Sequence, residues 1–140
     1  MGKRRQAREI AVQMLYKLDM SGDGLDDSRA LFWENYPQPE DVREFAEKLA
    51  CGVTEHCMEI DQAISQASTN WSIGRLNPVD RSILRQALFE ILYCPDIPYK
   101  VTLNEAIELG KKFGSEKSGG FINGVLDHVN SRQAKQKKKA

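Results

Sequence analysis

The chain has 140 residues, 41% of them hydrophobic, which is enough for one domain with its own core and too short for a catalytic domain beside a binding one. No apolar run nears the roughly 18 residues of a membrane span, and three cysteines without a C-x-x-C pair (Cys51, Cys57, Cys94) argue against a disulfide framework and for a reducing cytoplasm. The net charge of zero conceals a separation. Lys3, Arg4, Arg5 and Arg8 precede the first acid, Glu9, and Arg132, Lys135, Lys137, Lys138 and Lys139 follow the last, Asp127, leaving residues 9–131 with a net of −9.

Apolar residues recur at helical spacing along almost the whole chain. Arg4 to Met20 predicts a first helix with Ala7, Ile10, Ala11, Met14 and Leu18 on one face and Arg4, Arg5 and Arg8 together on the flank beside it. This start is Arg-rich and amphipathic like a transit peptide, yet Glu9 and Asp19 fall inside it and no Ser-rich run follows, so it reads as mature structure. Ser21-Gly22-Asp23-Gly24 ends the helix, and a short one follows from about Ala30 to Tyr36, stopped by Pro37 and Pro39. Val42, Phe45, Ala46, Leu49, Val53, Cys57, Ile60, Ile64 and Ala67 predict one long helix, bent near Gly52. A break from Ser68 to Leu76 precedes Asn77-Pro78-Val79-Asp80, a helix start in which Asn caps, Pro takes the first turn and Asp favours the positive end; that helix stops at Cys94-Pro95. Thr102-Leu103-Asn104-Glu105 has the form of a capping box, opening a helix that Gly114 closes. Ser118 caps the last helix, with Phe121, Ile122, Val125, Leu126 and Val129 as its apolar face. The fold class is all-α, a two-lobed bundle of about six to seven helices over residues 1–130, with lobes of roughly 1–70 and 71–130 and a basic, disordered tail at 131–140.

Candidate chemistry is weighed against plain structural roles. Positive charge at a helix N-terminus costs about 0.3 to 1 kcal/mol, so Arg4, Arg5 and Arg8 call for a reason, and guanidinium groups on an ordered scaffold suit phosphate. Phe121 serves equally well as core or as a platform for an unpaired base. Cys51, His56 and Cys57 lack a four-ligand spacing, so no metal or other cofactor is expected. Ser118-Gly119-Gly120 lacks the Lys-Ser/Thr of a phosphate loop and follows no strand. Ser, Asp and His show no triad spacing, and no Gly-rich βα unit for a methyl donor occurs, so the expectation is a protein that is not an enzyme.

Four segments carry a resemblance. Arg4-Arg5-Gln6-Ala7-Arg8-Glu9 with Ala11, Leu15 and Tyr16, then Asn77 to Arg85, then Ile97-Pro98-Tyr99-Lys100-Val101-Thr102-Leu103-Asn104-Glu105-Ala106-Ile107-Glu108-Leu109, and last Phe121-Ile122-Asn123-Gly124-Val125-Leu126-Asp127 occur in an order that resembles the NusB family of bacterial transcription antitermination factors. The resemblance implies a two-lobed helical protein that pairs with the ribosomal protein NusE, binds single-stranded boxA RNA and supports transcription of ribosomal RNA operons within the RNA polymerase antitermination complex. It implies RNA contacts at Lys3, Arg4, Arg5 and Arg8, with Phe121 and Asn123 near the same RNA, and a protein-partner contact near Tyr16 and Asp80 on the acidic side. The Gly119-Gly120 pair and the C-terminal lysines depart from the family pattern. The competing reading is a helical protein–protein adaptor without direct RNA binding.

Overall fold

The computed structural model describes residues 2–68 and 72–139, with side chains placed for all of these except Asp27 and residues 136–139. Residues 69–71, inside the break read between Ser68 and Leu76, lie outside the described residues. Helix α1 (Lys3–Ser21) ends at Gly22, whose φ of 75° is a left-handed conformation open to glycine and whose N–H bonds the Leu18 carbonyl. Helix α2 (Leu25–Asn35) starts earlier than the reading from Ala30, directly after Gly24, with Asp26 pairing to Arg29 one turn on.

The long helix expected over 42–67 is two: α3 (Glu40–Glu55) and α4 (Cys57–Ala67), divided at His56, where φ is −111° and ψ 22°. The break sets the His56 ring against Tyr93, with centroids 3.9 Å apart. Gly52 serves a contact instead of a bend: a Cβ there would lie 2.2 Å from two Phe89 ring atoms, so only glycine lets that ring press against α3. After a 3-10 turn (Ile73–Arg75), helix α5 (Pro78–Tyr93) begins as read, with the Asn77 side chain accepting from the Val79 N–H at 2.8 Å and Pro78 in the first turn.

Helix α6 (Tyr99–Phe113) begins three residues before the supposed capping box, on Pro98. Both polar members of that box have tertiary duties: the Thr102 hydroxyl donates to Glu90 and Glu105 accepts from Arg5. Helix α7 (Ser118–Lys139) starts at Ser118, whose Oγ accepts the Ser115 N–H and so closes the preceding loop. It continues past Asn130 through the segment read as disordered. Arg132 there donates to Gln66 of α4 at 2.7 Å, and Gln, Ala and Lys are favourable helix formers.

Among the described residues all regular elements are helical. Helix α5 packs against α1, α3, α4, α6 and α7, and the buried side chains of both halves of the chain form one core. Leu49, Ile60, Ile64, Ile83, Leu84, Leu88, Ile122 and Leu126 are fully buried, each stabilising by roughly 1.5 to 3 kcal/mol before entropy is counted. Polar groups clasp the same helices. Asp19 of α1 accepts from Arg81 at 2.6 Å and from Arg85 at 3.3 Å; Arg85 also forks onto Asp61 of α4, and Arg81 donates to the carbonyls of Ile73 and Leu76. The N-terminal end of α1 is left at the surface, carrying the cations.

Candidate nucleic-acid interface

Helical spacing does not put the first four cations in one environment. Lys3 is exposed and pairs with Asp41 at the start of α3, 2.7 Å away; that bond raises the Lys3 pKa and lowers that of Asp41. Arg4 is exposed and lies with its guanidinium 4.6 Å from the centre of the Phe45 ring, a cation–π contact worth about 0.5 to 1 kcal/mol at such a site. It has no ion-pair partner among the described residues. Arg5 places Nε and Nη2 on the two Glu105 oxygens at 3.0 Å each, and this bonding raises its pKa further. Its Nη1 edge takes no part in that fork. Lys3, Arg4, Asp41, Glu44, Phe45 and Lys48 line a shallow groove of about 410 Å³.

Arg8 departs from the sequence reading. It is 3% exposed and sits on the buried side of α1, with Nε and Nη2 forked onto Glu90 at 2.9 and 2.8 Å; Glu90 is itself 2% exposed. The same carboxylate accepts the Thr102 hydroxyl at 2.9 Å, and Gln86 donates to the Arg8 carbonyl at 3.1 Å. A guanidinium enclosed in this way cannot also meet an external phosphate, so Arg8 is a structural tie between α1, α5 and α6. The signal was present in the sequence: Arg8 stands three and seven residues from Ala11 and Leu15 on the apolar stripe, and Glu90 interrupts the apolar run from Ile83 to Leu92.

Helix α6 connects this end to the start of α7. Besides the Arg5–Glu105 fork, Lys112 reaches Glu9 of α1 at 3.0 Å. Its neighbour Lys111 lines a cleft of about 630 Å³ with Ile107, Gly114, Ser115, Gly119, Gly120 and Asn123. Asn123 is exposed there, whereas Phe121 is half-buried against the core, neither sealed inside nor free. The two glycines remove side chains from the cleft wall beside Asn123. The basic groove at Arg4 and the cleft at Asn123 are therefore distinct features linked by α6. Glu105, Phe45 and Lys48, which shape the first, were not singled out by sequence reasoning; their role depends on which helices meet.

The residues expected to meet a protein partner lie toward the other end of α1. Tyr16 is 38% exposed and, with Met20, Leu25, Leu31 and Phe32, lines an apolar groove of about 630 Å³ between α1 and α2. Asp80 is buried in the first turn of α5, its Oδ1 without a hydrogen-bond partner among the described residues. The neighbouring Arg81 grips Asp19, which stands one turn along α1 from Tyr16. Cys51, His56 and Cys57 do not converge: Cys51 meets Arg29, His56 stacks on Tyr93, and Cys57 approaches Asp61. No helix among the described residues is long and apolar enough to cross a membrane.

The family described as the NusB family matches residues 5–131. The transcription antitermination protein NusB of Anaeromyxobacter dehalogenans is 50% identical over 130 residues, 92% of this chain and 91% of that protein. The structure of T. maritima NusB superposes with a TM-score of 0.83 at 35% identity, covering 91% of this chain and 90% of the other. A structure of the antitermination factors NusB and NusE in complex with dsRNA gives a TM-score of 0.85 at 30% identity, over 94% of this chain and 98% of that one. With a family match over most of its length and 50% identity to a curated member over 130 residues, the chain belongs to the NusB family.

Proposed function

We propose that the chain acts in transcription antitermination as a binding protein of the cytoplasm, without catalytic chemistry: it pairs with the ribosomal protein NusE and holds boxA-type single-stranded RNA for the RNA polymerase antitermination complex. Its similarity to a protein solved with NusE and RNA supports the partners. The observation that carries the RNA site is the exposed Arg4 guanidinium, stacked on Phe45 beside Lys48 and without an acidic partner among the described residues.

Arg4 takes phosphate, and Arg5 offers its Nη1 edge while Glu105 fixes the rest of the group. Lys3 shares its charge with Asp41 and contributes less. Phe121 offers part of a ring for an unpaired base, and Asn123 offers donors and acceptors to a base edge. A cluster this small makes few phosphate contacts, so the isolated protein binds RNA weakly and a partner that widens the surface tightens it. NusE docks at the Tyr16 groove and the α1–α5 junction, on the acidic side, where complementary charge raises the association rate.

Titration of labelled boxA-type RNA with and without NusE tests the reading. Tighter binding with NusE is the expected result; equal affinity with and without bound NusE refutes the shared site, and no RNA binding in either state favours a protein–protein adaptor.

A further inference from the structure

At the N-terminus Lys3, Arg5 and Arg8 each face a carboxylate at 3.0 Å or less. The cations beyond Asp127 differ. Arg132 bonds a neutral amide, Gln66, and Lys135 is exposed, with no ion-pair partner for either among the described residues. No Asp or Glu follows residue 127. Helix α7 nevertheless runs on to Lys139, beyond Val129, the last apolar side chain it buries.

At 100° per residue, positions 132, 135, 138 and 139 of the helical backbone fall within a third of the helix circumference, on the flank beside the face of Ile122, Val125, Leu126 and Val129. Continued toward the N-terminus, the same stripe passes Ser131, His128, Gly124 and Phe121. From Phe121 to Lys135 it measures about 21 Å at 1.5 Å per residue.

From these observations we propose that the C-terminal extension of α7 is a second contact for the RNA backbone, a basic rail that adds salt-dependent affinity and no sequence preference. The proposal rests on the RNA-binding reading above. Arg132 and Lys135, without an ion-pair partner among the described residues, favour it: displaced counterions drive phosphate binding, and a cation already paired with a carboxylate releases fewer of them. The continuous stripe favours a single strand, which follows the rail from the Phe121 end. The division of labour places sequence reading at the start of α7 and length-dependent, sequence-blind attraction along its extension.

The test uses the full-length chain carrying Lys135→Gln, Lys137→Gln, Lys138→Gln and Lys139→Gln, with Arg4→Ala/Arg5→Ala as a separate variant. Fluorescence anisotropy reads affinity for labelled boxA-type RNA and for a scrambled RNA of equal composition, across salt concentrations. For two lost contacts the four-Gln variant should show a log–log salt slope shallower by about 1.4 and an affinity roughly tenfold or more lower at 0.1 M salt. The loss should be equal for both RNAs, with the helical signal and melting temperature retained. Unchanged affinity and slope in this variant, while Arg4→Ala/Arg5→Ala still weakens binding, overturn the rail and leave the RNA reading standing. Loss of boxA preference alone also overturns it. Unchanged RNA binding with lost self-association in sedimentation would assign the extension instead to the acidic body of a second copy. If the unmodified chain binds neither RNA in the presence of NusE, the RNA reading itself falls.

Discussion

Replacing Arg8 with Ala separates burial from surface chemistry. In the native protein Glu90 is 2% exposed and holds three donors: two Arg8 nitrogens at 2.9 and 2.8 Å and the Thr102 hydroxyl at 2.9 Å. Arg8→Ala leaves the carboxylate buried with the hydroxyl alone, a loss that costs about 3 to 5 kcal/mol because the remaining charge is uncompensated. With an unfolding entropy of about 2.1 cal/mol/K per residue over the chain, the melting temperature falls by roughly 10 to 17 °C. The double change Arg8→Met/Glu90→Leu removes both charges and fills similar volume, so it should recover most of the loss; the Thr102 hydroxyl can then bond the Pro98 carbonyl one turn back. Urea unfolding followed by circular dichroism gives the stabilities, and RNA titration at low temperature, where Arg8→Ala remains folded, gives the affinity. A destabilisation below about 1 kcal/mol together with an RNA defect as large as that of Arg4→Ala would show that Arg8 faces solvent, and would refute the reasoning.

Gly52→Ala should destabilise by about 1 to 3 kcal/mol through its clash with Phe89, against a helix-propensity gain of about 1 kcal/mol at most; a higher melting temperature would contradict the close contact. Burial, aided by Asp61, raises the Cys57 thiol pKa, and burial raises that of Cys94. Because both thiols ionise more readily unfolded, stability should fall as pH climbs from the ordinary thiol range toward the higher folded values, and alkylation at pH 8 should be slower at these two positions than in the urea-unfolded chain; equal rates would refute this. Asp80→Lys should unfold or strongly destabilise the protein, since it puts a buried cation at the positive end of α5. Asp80→Asn is therefore the usable probe, expected to keep the fold while weakening NusE binding in a pull-down; unchanged binding would move the interface elsewhere.

Helix identity was legible because the apolar spacing at Val42 to Val53 and Ile83 to Leu92 admits little else, and because Asn77-Pro78 is a local start signal that no tertiary contact overrides. What was not legible depended on neighbours. Thr102 and Glu105 have the spacing of a capping box, but Glu90 and Arg5 lie close enough to claim both side chains. The period continues unbroken through His56, yet the helix divides there as the ring stacks on Tyr93. At the candidate site, the sequence reading placed Arg4, Arg5 and Arg8 on one flank. Arg8 lies only about 40° and 60° around the helix from Arg4 and Arg5, but it stands a turn further along α1, where α5 and α6 cover it, and only the positions of those helices decide which guanidinium is enclosed.

The central claim, that RNA is held by the exposed end of α1, is tested most directly by the salt dependence of boxA-type RNA affinity in the presence of NusE for the unmodified chain and for Arg4→Ala. The account predicts weaker binding and a log–log slope shallower by about 0.7, the value for one phosphate contact on a single strand, with stability within about 0.5 kcal/mol of the unmodified chain. An Arg4→Ala protein that is folded, bound to NusE, and unchanged in both affinity and slope would contradict it.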